Sequence, residues 1–385
     1  MKISVKTFQH LEKVAIDELQ ALGATDIEVG RRIVHCEGDW ELVYRANYEM
    51  RTALRVLIPI HSFHIRRDED LYARAAKFDW EQWLGIDQTF AIDPSIFSDH
   101  FRHPHYASLR LKDAIADTFT KKYARRPDVN ANFPDVLFHL HIDQDKVTIS
   151  LDSSGSSLNQ RGYRNEGGQA PINEALAAGM LLLADWNGDR DFCDPFCGSG
   201  TIAIEAAMIA ANMPAQFNRP SFGFMKWKNF QEPIWRAIEL KAEARMKAPT
   251  CRIHASDLNG KQLKIALKNA ASAGVDKYID FQERNFFDIE PEVEQGMVVT
   301  NPPYGERLEE NDMAELFANI GSRMKHFWPG WTFWFISSSP AAFKSVGLRP
   351  SRKFELFNGP LECRFMRYDL FKGKKGHRPE EESSK

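Results

Sequence analysis

Between Arg190 and Ala210 the chain reads RDFCDPFCGSGTIAIEAAMIA: a short apolar run, an Asp-Pro step, closely spaced glycines, and then a stretch apolar almost all round. That succession admits few folds. An apolar run closed by a tight turn and followed at once by a helix is a strand–turn–helix unit, and such a strand is buried by parallel neighbours. Gly198 and Gly200 permit a sharp turn that leaves backbone N–H groups bare at the head of the helix, where a nucleotide or the amino-acid end of a cofactor can be received. A helix at about Ile172–Ala184 precedes this unit. Strand candidates follow at Arg252–Ser256, Ile279–Arg284, Met297–Thr300 and Trp331–Ser337, then a closing pair at Lys353–Leu356 and Glu362–Asp369. Helical stretches separate the earlier ones, so the second half is expected to be a doubly wound α/β domain ending in an antiparallel hairpin.

The first 155 residues follow another grammar. Strands are expected at Ile3–Lys6, Asp26–Val29, Ile33–Glu37 and Ala53–Ile60, with helices at His10–Leu22 and Trp40–Met50. This β-α-β-β-α-β order is that of a split βαβ, ferredoxin-like unit over residues 1–60. Residues 61–155 form a second α+β block. Helices are expected at Asp68–Trp83 and Ser108–Tyr123, a strand at Thr89–Asp93, and a hairpin of Val136–Ile142 with Lys146–Asp152. The polar stretch Ser153–Gln169 reads as a boundary with a linker at 156–170, and carries Arg161, Tyr163 and Arg164, types suited to phosphate and base contacts. The α/β domain then spans 171–372. Residues 373–385 have no apolar content and are expected to be disordered.

Charge and cysteine usage remove several classes of function. With 50 Lys+Arg against 53 Asp+Glu, the net charge of −3 argues against nucleic-acid binding by bulk positive charge. It leaves room for local patches such as Lys121–Lys122 with Arg125–Arg126, which read equally as a solvated helix face. No apolar run is long enough to span a bilayer, and Met1–Gln20 lacks the apolar core of a signal peptide. The five cysteines are scattered without a CxxC, so reduced thiols in a cytoplasmic protein are expected rather than a disulfide framework or zinc cluster. His103-Pro104-His105 and His139-Leu140-His141 read as exposed turn and strand histidines; no carboxylate or cysteine set completes a metal site.

Three pieces carry chemistry. The turn Asp194–Thr201 comes first. Gly198–Ala203 also satisfies GxGxxA, but the acid that a dinucleotide fold needs about 20 residues later is absent. Asp194 at the strand tip suits a cationic amino group better than a pyrophosphate. The second piece is Asp257 at a strand end, placed to accept the hydroxyls of a ribose or to cap the next helix. The third is Asn301-Pro302-Pro303-Tyr304 after the apolar strand Val298–Thr300. The exocyclic amine of a base is a poor nucleophile because its lone pair is delocalised into the ring. Two acceptors, the Asn301 side-chain oxygen and the Pro302 carbonyl, can take both N–H bonds and bias the nitrogen toward tetrahedral geometry. Pro302 and Pro303 hold the turn rigid, and Tyr304 can stack on an unstacked base.

With these residues in place the chain resembles the class I S-adenosylmethionine-dependent RNA methyltransferases that carry a THUMP domain. The likeness is greatest to the guanine-N2 methyltransferases of 23S ribosomal RNA (the RlmL group) in a form with a single methyltransferase domain. It runs from Arg161-Gly162-Tyr163-Arg164 to Phe371 and includes Gln169–Glu174, Ile204-Glu205-Ala206-Ala207, Asn301–Leu308, Pro329-Gly330-Trp331 and Asn358–Arg364. It implies a Rossmann-like domain with a seven-stranded sheet behind ferredoxin-like and THUMP domains, and S-adenosylmethionine as cofactor. It further implies cofactor contacts from Asp194, Cys197, Gly198, Ser199 and Gly200, ribose binding by Asp257, and approach by Pro171. Where the family usually has an aspartate beside the adenine this chain has Asn285; Asn285 and Phe286 are candidates there, with Asp288 as a substitute. Structured RNA, large-subunit rRNA in particular, is the implied partner. Relatives fused to a second methyltransferase domain gain activities that are not implied here. Asn-Pro-Pro-Tyr equally serves adenine-N6 of DNA or RNA and a protein glutamine amide, since each acceptor is a planar NH2. A non-catalytic RNA-binding assembly factor is opposed by the intact glycines, Asp257 and Asn301.

Overall fold

The computed structural model describes residues 1–101, 103–164, 172–303 and 310–372. Pro171, Tyr304 and the expected tail 373–385 therefore lie outside the described residues, as do residues 165–170 of the expected linker.

The N-terminal elements are β1 (Lys2–Lys6), α1 (Glu12–Ala21), β2 (Thr25–Gly30), β3 (Ile33–Glu37), α2 (Trp40–Glu49), β4 (Arg55–His64), α3 (Glu69–Ala75), β5 (Phe90–Phe97), α4 (Pro104–Tyr123), β6 (Val136–Asp143) and β7 (Lys146–Asp152). All seven strands share one sheet, in the order β2-β3-β1-β4-β7-β6-β5. β4 joins its two parts, pairing with β1 through Arg55–Leu57 and with β7 from Leu57 to His64. The expected division at residue 60 thus falls inside a strand. The register of β4 shifts between Pro59 and His61, where a proline without an N–H cannot extend the ladder. Helix α3 is shorter than the expected Asp68–Trp83 because the indole of Trp80 donates to the Ala75 carbonyl at 2.9 Å, satisfying it at the helix end.

Two expectations for this half are corrected. The described part of the polar segment after β7 is not a solvated linker: Ser153, Ser154 and Leu158 are fully buried. Ser153 Oγ donates to Val56 O at 2.7 Å, Ser154 Oγ to Asn47 Oδ1 at 2.7 Å, and Asn47 Nδ2 to Ser153 Oγ at 2.8 Å. Arg161, buried at 1% exposure, donates to the carbonyls of Leu158 and Arg51, so it holds the backbone and offers nothing to RNA. His139 is buried rather than exposed, and Lys6 Nζ lies 2.6 Å from its Nε2. His103 and His105 are exposed as expected.

The C-terminal elements are α5 (Glu174–Leu183), β8 (Asp191–Asp194), α6 (Thr201–Ala210), α7 (Glu232–Arg245), β9 (Ile253–Asp257), α8 (Gly260–Ala273), β10 (Ile279–Glu283), β11 (Gly296–Thr300), α9 (Glu310–Phe327), β12 (Trp331–Ser337), α10 (Pro340–Ser345), β13 (Arg352–Asn358) and β14 (Leu361–Asp369). Their seven strands form the sheet β10-β9-β8-β11-β12-β14-β13. Strands β8 to β12 run parallel; β14 lies antiparallel between β12 and β13. This is the doubly wound sheet with closing hairpin that the sequence pattern implies. Helix α6, apolar all round, is buried against α5, α8, β8 and β9. The chain winds from β8 outward to β10, then returns to β11 on the other side of β8. In sheets of this kind ligands bind at such a reversal, outside the carboxyl ends of the strands.

Residues 213–246 leave this second unit. Met1–Gly162 and Met213–Met246 make one compact unit, Tyr163–Asn212 and Lys247–Lys385 the other. The excursion starts and ends at one point, since Lys247 N donates to Ala211 O at 3.0 Å. Its Phe222, Phe224, Trp227 and Trp235 enter the core of the N-terminal unit, where Phe224 meets Tyr44 at a ring separation of 4.5 Å and Trp235 meets Tyr48 at 5.2 Å.

Candidate active site

Strand β8 ends on Asp194, which is 1% exposed. Thr300 Oγ1 donates to its Oδ1 at 2.5 Å, and the backbone N–H of Phe196 also donates to it. Burial pushes the carboxyl up to about 7, against the lowering effect of those hydrogen bonds, and the negative charge of Asp257 raises it further. No cation among the described residues offsets it. A desolvated carboxylate without a counter-charge is costly by itself and well matched to an incoming ammonium group.

The turn beyond it is fixed from both sides. Cys197 N donates to Ser256 O at 2.9 Å, Gly198 N to Asp257 Oδ2 at 2.9 Å, and Gly200 N to Cys197 O at 2.8 Å. Gly198 and Gly200 have φ of +54° and +84°, the left-handed region that glycine enters without strain. At Gly200 a second constraint applies: an added Cβ would stand 3.0 Å from Ala266 Cβ, so the turn lies close on α8. Asn269 Nδ2 donates to Ser199 O at 3.1 Å and anchors the same turn from α8. Burial, and after it the charges of Asp194 and Asp257, pushes the Cys197 thiol well above its ordinary range, so it is an inert packing residue.

At the end of β9, Asp257 Oδ1 accepts from Asn259 N at 2.8 Å, and Asn259 caps α8 by accepting from Lys261 N and Gln262 N. The cap is therefore Asn259, and Asp257 is left braced against the turn. Leu258 between them is 67% exposed, an apolar surface that the motif reading passed over. Its only sequence signal is an apolar residue set between an acid and a helix cap. Beyond β10, Asn285 accepts from Phe287 N at 3.1 Å and caps the short turn Phe286–Asp288. Phe286 is 1% exposed and packs on Phe196, Phe333 and Trp328, so its ring belongs to the core rather than to an open face; Asp288 is exposed.

Strand β11 ends on buried Thr300, and Asn301 follows. Pro302 is buried and Pro303 half-buried. Among the described residues the buried Asn301 side-chain oxygen has no hydrogen-bond partner, a costly condition for an amide acceptor and one that a donor from outside the protein would relieve. The strand order places the ends carrying Asn285, Asp257, Asp194 and Asn301 side by side in that sequence. The sequence motifs are thus brought to one edge, with two exceptions, Pro171 and Tyr304, that fall outside the described residues. Two roles were not foreseen. Thr300 is the partner of Asp194, and Arg164 ties the head of α6: its Nη2 donates to Thr201 Oγ1 at 3.0 Å and to Ile172 O at 2.9 Å, with Glu174 3.5 Å from Nε. Tyr163 donates to buried Glu205 at 3.0 Å. Arg164 and Tyr163 therefore brace the helix head, where phosphate and base contacts were expected.

Residues 161–367 match the family model described as the RMKL-like methyltransferase domain, more than half of the chain. The chain belongs to that methyltransferase family. Ahead of this RMKL-like domain, residues 66–152 match the THUMP domain and residues 2–57 the RlmL ferredoxin-like domain. Solved structures cover the whole arrangement. A possible methylase from Clostridium difficile 630 is 31% identical with a TM-score of 0.87, covering 97% of this chain and 99% of its own. A protein named a predicted N6-adenine-specific DNA methylase from Listeria monocytogenes is 30% identical with a TM-score of 0.86, covering 96% of each chain. SMU.472, solved as a complex with SAH, is 26% identical with a TM-score of 0.88, covering 97% of this chain and 99% of its own. Membership of a methyltransferase family removes the dinucleotide reading of Gly198–Ala203. Among the described residues no group of three or more His, Cys, Asp or Glu is placed to hold a metal ion, and no helix is long and apolar enough to cross a membrane.

Proposed function

We propose that the chain methylates the exocyclic N2 amine of a guanine in structured RNA, with 23S rRNA as the substrate. The coarser statement, a THUMP-bearing methyltransferase dependent on S-adenosylmethionine, rests on the family and its domains. The residues at the strand ends fit that cofactor. Asp194 is a buried carboxylate short of a cation among the described residues, a Cβ at Gly198 would meet nothing within 4 Å, and Asp257 lies one strand away. Asp194 would take the amino group, the turn Cys197, Gly198, Ser199 and Gly200 the amino-acid end, and Asp257 the ribose. Asn285 and Asp288 would border the adenine over the packed Phe286, and Pro171 would approach from the side. When bound, S-adenosylmethionine supplies a methyl group activated by its sulfonium.

The buried Asn301 oxygen, without a partner among the described residues, carries this reading. Asn301 Oδ1 and the Pro302 carbonyl accept the two N–H bonds of the amine, and Pro302 and Pro303 hold both acceptors in place. Tyr304 stacks on the extruded base. The chain's contribution to rate is orientation and fixed acceptors, with no covalent enzyme intermediate. RNA is favoured over DNA by the THUMP and ferredoxin-like units, and scattered cysteines without a CxxC fit the expected cytoplasmic setting. The name of the Listeria relative supports a second reading, adenine-N6 as acceptor, with the same elbow.

Transfer from methyl-labelled S-adenosylmethionine to unmodified 23S rRNA transcript tests the elbow. Asn301→Ala should lower single-turnover transfer on the order of 100-fold while cofactor affinity stays within about threefold of the native protein. Transfer at the native rate would refute the role.

A further inference from the structure

The hydroxyl of Thr300 couples the Asp194 carboxylate to the elbow that begins at Asn301. The geometry points to Thr300 as a positioning residue through which cofactor binding at the end of β8 sets the acceptor-binding end of β11. This rests on the roles proposed above for Asp194 and Asn301.

Strands β8 and β11 pair at Asp191 with Gly296, Phe192 with Met297 and Cys193 with Val298, and there the ladder ends. Asp194 and Thr300 lie beyond it. The 2.5 Å bond from Thr300 Oγ1 to Asp194 Oδ1 continues the connection between the strand ends through side chains. Both residues are buried, at 2% and 1% exposure, so water does not compete for the bond. On its other side Thr300 is held by the β12 ladder opposite Phe335. A β-branched side chain has few χ1 states, and committing its hydroxyl selects one. The next residue is Asn301, whose side-chain acceptor has no partner among the described residues to fix it.

The state of Asp194 decides the direction of the bond. An ionised carboxylate can only accept, so Thr300 must donate. A protonated one carries a competing donor, and the hydroxyl is free to turn. Asp194 changes state near neutrality, with Asp257 at the end of β9 as the charged group that favours the proton. An ammonium group against Asp194 keeps it ionised and thereby fixes Thr300. The elbow is then ordered once the cofactor's amino group is in place.

Calorimetric titration with two probes separates this from a general structural role. S-Adenosylmethionine carries the amino-acid end; 5′-methylthioadenosine lacks it. Thr300→Val should weaken S-adenosylmethionine on the order of tenfold at pH 7 and leave 5′-methylthioadenosine within twofold. The pH at which S-adenosylmethionine affinity falls off on the acid side should move upward, because a bond favouring the ionised carboxylate is gone. Thr300→Ser, which keeps the hydroxyl, should recover most of the affinity and the native pH profile. Were Thr300→Val to misfold, Thr300→Ala against Thr300→Ser makes the same comparison. Unchanged affinity with an unshifted profile, or equal loss for both probes, overturns the proposal. Either result leaves the Asn301→Ala transfer assay to judge the proposed function separately.

Discussion

Asp194 shows how a candidate site residue can be recognised by its discomfort. Its carboxyl ionises at about 7 in the folded protein against 3.8 as the ordinary value, chiefly because it is buried. The folded state therefore holds a proton that the unfolded chain has released between those two values. Linkage gives the sign: its contribution to stability is greatest below pH 3.8 and is lost as pH rises toward 7. Asp194→Asn should flatten that fall in the melting temperature of the ligand-free protein, while weakening S-adenosylmethionine on the order of 100-fold by calorimetry. An unchanged pH slope would contradict the assignment. Asn301, Asp257 and the two glycines were legible from spacing, since each sits at a fixed offset from an apolar run. Thr300 as the partner of Asp194 was not, because 106 positions separate them and only the strand order brings them together.

Elements were read most accurately where one period dominates, as in α2 or the hairpin of β6 and β7, and least where polarity conceals burial. The segment from Ser153 to Arg161 has a linker's composition, but its hydroxyls bond to Asn47 and to the β4 backbone. His139 is a similar case on β6. Burial first, then the charges of Lys6, His141 and Arg55, hold its imidazole down to about 3. Lys6, itself lowered by burial, lies 2.6 Å from Nε2. The unfolded chain binds a proton near 6.5 that the folded one refuses until about 3, so this contribution to stability is present above pH 6.5 and lost as pH falls through that window. Denaturant melts between pH 7 and 4 should show a shallower acid loss in His139→Gln than in the native chain. An equal loss would place the acid sensitivity elsewhere.

At the scale of the molecule, the doubly wound sheet and the α+β character of the first half followed from apolar periodicity and turn residues. The traffic between halves did not. Residues 213–246 lie within the second half by sequence and complete the first half's core by packing. Nothing local in Phe222, Phe224, Trp227 and Trp235 says which half they serve, because an aromatic run is equally suited to any core. In the proposed function, the THUMP and ferredoxin-like units bring RNA to the RMKL-like methyltransferase domain, and the elbow at Asn301 takes a planar amine as acceptor. What separates guanine from adenine is the product. Mass spectrometry of nucleosides from the 23S rRNA of a strain deleted for this chain should show N2-methylguanosine reduced, restored by the native gene and not by Asn301→Ala. Loss of N6-methyladenosine in its place, or restoration by Asn301→Ala, would contradict the account.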